Sequence, residues 1–174
     1  MNPIVIYYSR TGTTKAVAKE ISRQLNCDTQ VIVPAKRYSR FFLKCLFRAY
    51  REKRDGEWPL LKSKLNLSLY DTIILGYPVW CGSAPRILFS FLKAQRIQGR
   101  TIIPFCTYRG DAGTGNDDLM NAFPDNVWKG GMTVRARNAA KCTEEVARFI
   151  TKNGLDKEEE KPERKQAPGK QTNK

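Results

Sequence analysis

A chain of 174 residues, 41% apolar, is long enough for one domain with a full core. It has no histidine, which excludes the usual general base, the usual nucleophile triad and the commonest zinc ligand, and its five cysteines are scattered without a C-x-x-C pair, which argues against a disulfide framework or an iron–sulfur site. The net charge of +14 draws the protein toward anionic partners without choosing among them.

The N-terminal Met-Asn-Pro-Ile-Val-Ile runs straight into an apolar segment, with no charged region leading an apolar stretch and a cleavage site, so a cytoplasmic protein with free thiols is expected. No apolar run reaches the roughly 18 residues of a membrane span. A first strand is predicted over Ile4–Tyr8. A helix follows over Thr14–Asn26, with Val17, Ile21 and Leu25 at four-residue spacing. Asp28–Val33 reads as the second strand, Thr72–Gly76 as the third and Thr101–Cys106 as the fourth. The fifth and weakest covers about Val127–Val134. Helical patterns fall at Pro85–Ala94, Asp117–Ala122 and Ala139–Asn153, the last ending before Gly154. Strands one, three and four are nearly continuous apolar runs, as strands covered on both faces are. The alternation predicts an α/β fold, a doubly wound five-stranded parallel sheet of order 2-1-3-4-5, with a ligand crevice where strands one and three part company. The domain is expected to span 1–154. The tail 155–174 contributes +1 of the charge and offers one strong apolar residue, Leu155, so it is expected to be disordered.

Residues 36–64 carry ten Lys/Arg against three Asp/Glu. Arg37, Arg40, Lys44, Arg48 and Arg51 fall at three- and four-residue steps and predict a basic stripe on a helix, interleaved with Phe41, Phe42, Leu43, Leu46, Phe47 and Tyr50. One reading packs the apolar side on the sheet and leaves the stripe in water. Adjacent Phe41 and Phe42 point about 100° apart, so not every aromatic can face one sheet. Residues 36–54 are therefore also read as an interaction surface, for an anionic membrane, an acidic redox partner or a second copy. No nucleic-acid motif accompanies the charge, and nucleic acid is not an expected partner.

Between the first strand and its helix stands Ser9-Arg10-Thr11-Gly12-Thr13-Thr14. Backbone amides at a helix N-terminus, hydroxyls and a glycine together read as a phosphate cradle; a plainer reading makes Thr13 or Thr14 an N-cap. The stretch is neither a P-loop nor a dinucleotide fingerprint. The loops expected after strands three and four, "GYPVWCGSAP" and "PFCTYRGDAGTG", each carry an aromatic, Trp80 and Tyr108, among small residues. A phosphate site flanked by two such loops suggests a flat heterocycle bearing a phosphate.

In this order and spacing the three loops resemble those of the flavodoxin family, over roughly residues 3–150. The resemblance implies a flavodoxin-like fold and FMN as cofactor. It implies that Ser9, Thr11, Gly12, Thr13 and Thr14 hold the phosphate, with Arg10 adding charge; that Pro78, Val79, Trp80, Cys81 and Gly82 run along one side of the flavin ring; and that Thr107, Tyr108, Arg109, Gly110 and Asp111 form the other. Trp80 or Tyr108 would stack on the ring, and Gly82 would leave its loop free to turn a peptide over. Cys81 and Cys106, near the ends of adjacent strands, suggest a redox thiol pair, against the plainer reading of a buried filler and an incidental loop thiol. The implied function is electron transfer through FMN to a protein or a small acceptor such as a quinone. An NAD(P)H-dependent quinone reductase is the alternative, and a flavin-free binding module acting through the basic helix is a third reading.

Overall fold

The computed structural model describes residues 1–156. Its elements, in chain order, are β1 (Pro3–Tyr7), α1 (Thr13–Leu25), β2 (Asp28–Val31), α2 (Phe42–Asp55), β3 (Thr72–Pro78), α3 (Arg86–Ala94), β4 (Thr101–Tyr108), α4 (Gly115–Ala122), β5 (Val127–Trp128), β6 (Met132–Arg135) and α5 (Thr143–Lys152). The sheet runs β2-β1-β3-β4-β5, all parallel, with β6 also paired to β4. This is the doubly wound order expected from the sequence.

Alternation along β1 divides the core. Ile4 and Ile6 face a cluster built with Ile87, Leu88, Phe91 and Leu92 of α3. Val5 and Tyr7 face the other way, against Val17 and Ile21 of α1 and Val146, Phe149 and Ile150 of α5. The middle strands are apolar throughout because helices cover both faces.

The fifth predicted strand is broken in two, and Pro104 explains the break. Lys129 N–H donates to the Ile102 carbonyl at 3.0 Å, so Ile102 points toward the last strand, and Pro104, two residues on, points the same way. Proline has no N–H to offer there. The chain crosses the gap with Gly130-Gly131, where a Cβ on Gly131 would lie 2.8 Å from the Pro104 carbonyl oxygen. Pairing resumes at Phe105 with Met132.

Two boundaries shift for local reasons. The last helix, predicted from Ala139, starts only at Thr143, and a separate 3-10 turn at Ala136–Asn138 precedes it. It ends in a Schellman motif: Gly154 at φ +61° donates to the Thr151 carbonyl, and Leu155 donates to that of Ile150, both at 3.1 Å. Leu155, expected to open the tail, is instead buried with α5. The rest of the expected disordered tail lies outside the described residues, save Asp156.

The basic helix departs furthest from expectation. α2 turns Cys45, Ala49 and Glu52 inward, and Phe42, Leu43, Phe47 and Tyr50 are exposed. Arg48 is not part of a solvated stripe. Its Nε donates to Glu52 at 2.7 Å, its guanidinium covers the Tyr38 ring at 4.1 Å, and it also donates to the Lys36 and Arg37 carbonyls. The buried Glu52 carboxylate accepts from the Tyr38 hydroxyl at 2.6 Å, and burial together with this bond raises the tyrosine pKa. A glycine-free, proline-poor segment at residues 35–41 is thus fastened to α2 by one acid. Glu52→Ala leaves Tyr38 and Arg48 without their acceptor and is expected to cost about 2 kcal/mol in urea unfolding; Glu52→Gln, which keeps an acceptor, should cost less.

Candidate functional site

The parallel sheet brings the carboxyl ends of β1, β3 and β4 to one edge, with Tyr7 beside Gly76 and Pro78 beside Thr107. The three loops singled out in the sequence leave from that edge.

In the first loop, Gly12 takes φ +92° at the N-cap of α1, and no side chain caps the helix. Neither Thr13 nor Thr14 is the N-cap. Gly12 N–H donates to Ser9 Oγ at 3.1 Å, and the Thr11 and Thr13 hydroxyls are 3.3 Å apart. The first intrahelical bond runs from Ala16 N–H to the Gly12 carbonyl. The amides of Thr13, Thr14 and Lys15 precede it and have no acceptor within the helix. Thr14 is fully buried, and its hydroxyl bonds that of Thr107 at 2.8 Å, joining the floor of this loop to β4. Arg10 is also tied to the segment before α2, its Nη1 donating to the Ser39 and Arg40 carbonyls at 3.3 and 2.9 Å.

The second loop is a tight turn. Trp80 and Ser83 exchange two backbone hydrogen bonds of 3.0 Å, and the residues between them, Cys81 and Gly82, have φ of +50° and +70°. Two left-handed central residues make a type I′ turn, which a glycine accommodates freely and a cysteine only under constraint. The constraint comes from both sides. Lys53 of α2 donates to the Cys81 carbonyl at 3.3 Å, and Thr114 N–H donates to the Gly82 carbonyl at 2.9 Å. A Cβ on Gly113 would sit 2.1 Å from that same oxygen, so only glycine allows the third loop to close on the second. The turn expected to be free is held. Trp80 is also committed: 9% exposed, it meets Tyr38 and Tyr8 edge-on, with ring centroids 4.9 and 5.5 Å away.

In the third loop Tyr108 is half-buried, with the Arg135 guanidinium 5.5 Å over its ring. Asp111 accepts from Gly113 N–H at 2.6 Å and shapes the turn toward α4.

These loops enclose one cavity of about 290 Å³. Every residue that the resemblance assigned to FMN lines it except Gly12. Phe42, Leu46 and Ala136 also line it and were not foreseen. Phe42 and Leu46 are four apart on α2, a spacing visible in the sequence; nothing there says that α2 turns that edge to the cavity. A second cavity of about 400 Å³ adjoins, lined by Arg109, Arg135 and Arg137 with Thr13 and Ala136.

Cys81 and Cys106 are placed for different lives. Cys106 is 1% exposed among the residues packed with α3, and burial pushes its thiol up to about 12, whereas Cys81 is exposed on the turn. This is the buried filler and the loop thiol, not a matched redox pair. Iodoacetamide at pH 8 is accordingly expected to label Cys81 in the native protein and Cys106 only after unfolding, as read by peptide mass spectrometry. A second outcome follows from the floor of the site: Thr107→Val strips the buried Thr14 hydroxyl of its partner and should lower stability by about 1 kcal/mol.

Comparison with known proteins bears on the same region. The family model for flavodoxin matches residues 2–153. This chain belongs to the flavodoxin family. A Bacteroides uniformis protein assigned as a flavoprotein is 32% identical, with a TM-score of 0.78 over 87% of this chain and 98% of its own. A second, from Bacteroides eggerthii, is 30% identical, with a TM-score of 0.71 over 84% and 98%. A Lactobacillus acidophilus flavoprotein solved in complex with FMN is 17% identical, with a TM-score of 0.69 over 84% and 98%, and shares the fold. No curated protein matches at a significant level. Among the described residues no helix is long and apolar enough to cross a membrane, and no cluster of three metal-ligating side chains forms.

Proposed function

We propose that this flavodoxin-family protein binds FMN in the cavity between its three loops and passes electrons through it to a protein or small acceptor. The observation that carries the reading is the convergence of a bare helix N-terminus, a hydroxyl-rich loop and two aromatic-bearing loops on one cavity. The residues fit the group at both ends. The amides of Thr13, Thr14 and Lys15, with the hydroxyls of Ser9, Thr11 and Thr13, suit a phosphate without displacing any protein bond except the weak pair between Thr11 and Thr13. Val79, Phe42, Leu46 and Tyr108 supply an apolar slot for a flat ring.

FMN, when bound, supplies the redox chemistry. The chain supplies position and surroundings. Tyr108 is the aromatic less committed elsewhere and is the better candidate to stack; Trp80, locked against Tyr8 and Tyr38, makes a fixed wall. The turn Trp80–Ser83, pinned by Lys53 and Thr114, presents its remaining backbone groups in one orientation. Apolar walls exclude water and disfavour added charge on the ring, while Arg109 favours it.

One observation favours the reductase version. Arg109, Arg135 and Arg137 line the adjoining cavity, a setting suited to the phosphates of NAD(P)H. Arg137 lines that cavity alone and not the first. Arg137→Glu is expected to raise KM for NADPH roughly tenfold or more while leaving FMN affinity unchanged; anaerobic stopped-flow reduction measures the first and fluorescence titration the second. The FMN reading has its own test. Thr13→Asp places a carboxylate at the phosphate end and is expected to weaken FMN roughly a hundredfold, about 2.7 kcal/mol. Wild-type protein that takes up no FMN would overturn the reading.

A further inference from the structure

The outer face of α2 is not explained by the cavity or the core. At about 100° per residue, Leu43, Phe47, Tyr50 and Arg54 fall opposite the buried Cys45, Ala49 and Glu52. Leu43 is 78% exposed, Phe47 65% and Tyr50 54%, and Phe41 just before the helix is 73% exposed. With Phe42, five of the twelve large apolar side chains exposed among the described residues lie within ten positions. Lone exposed apolar residues are ordinary; a contiguous group is not. Lys44 and Arg51 flank the group on one side, and Arg37 and Arg40 lie just before the helix. Glu52 is buried, which leaves Asp55, paired with Arg54 and Arg51, as the acid on the exposed side of α2.

We propose that this face of α2 docks on an anionic phospholipid bilayer. The apolar side chains point straight outward, where they can enter the boundary between headgroups and acyl chains. The cations beside them have long stems that let their charged ends stay among the headgroups. Charge complementarity selects this occupant over the others. A second copy of the chain would set Lys44 and Arg51 near their own counterparts, like charge against like. An acidic protein patch would match the cations and leave Leu43, Phe47 and Phe41 against carboxylates. Phe42 and Leu46, on the adjacent edge of the same helix, line the mouth of the first cavity, so docking brings that mouth to the lipid surface. Docking itself does not depend on FMN and is read without it.

The test is flotation of the full-length protein with vesicles of phosphatidylglycerol and phosphatidylcholine, and with phosphatidylcholine alone. Two double variants of exposed residues accompany it, Leu43→Ser with Phe47→Ser and Lys44→Glu with Arg51→Glu, each checked for native circular dichroism. The wild type is expected to float with anionic vesicles only, and each double variant to partition at least about tenfold less. Absence of vesicle binding overturns the proposal. So does an apolar variant that binds as well as the wild type, since adhesion would then be charge alone. A wild type that is dimeric in solution and becomes monomeric in the apolar variant overturns it too, because the face would then be covered by a second copy.

Discussion

Parallel pairing of β1 with both β2 and β3 is the constraint on which the site depends. The chain leaves β1 to one side for β2 and returns to the other for β3. Loops at the carboxyl ends of β1 and β3 therefore turn away from each other and leave a crevice that no side chain of the sheet fills. Because β4 pairs with β3 in the same direction, its loop reaches the same edge. Three segments separated by some seventy and thirty residues become neighbours through backbone hydrogen bonds alone. The buried bond between Thr14 and Thr107 then fixes the distance between the first loop and the third.

The site is held from above as well as from below. α2 is fastened to residues 36–38 by the Arg48–Glu52–Tyr38 group, and Tyr38 in turn packs on Trp80. Arg10 reaches from the first loop to the next two residues, Ser39 and Arg40, and Lys53 reaches the second loop. Buried polar groups of this kind are costly unless every member is satisfied, and here they are, with no buried side-chain nitrogen or oxygen left without a partner among the described residues. The result is a rigid roof that makes the cavity without spending the helix's outer surface. That surface stays apolar and basic.

The split at Pro104 shows a similar economy at the far edge. Losing one N–H from β4 divides the final strand, and the glycines that bridge the break let β6 run along the half of β4 nearest the site. Arg135 at the end of β6 then stands over Tyr108, and Ala136 joins the cavity wall. A straight fifth strand would not place them by the same route.

Much of this was legible in the residues. Apolar runs of strand length, separated by helical periodicity, determined a doubly wound parallel sheet, and such a sheet has its crevice at a fixed place. The resemblance of the three strand-end loops to those of the flavodoxin family then named residues of the cavity wall, since loop motifs are local properties. The rest required the folded chain. Periodicity marks α2 as amphipathic but cannot say which face turns inward when Cys, Ala and Glu compete with Phe, Leu and Tyr; the buried bonds of Glu52 and the close seating of two small side chains decide it. The sequence by itself determined which segments meet and what chemistry they bring. Only the tertiary structure decided which side of α2 remains in contact with the surroundings, because that choice depends on hydrogen bonds between residues whose pairing no local pattern encodes.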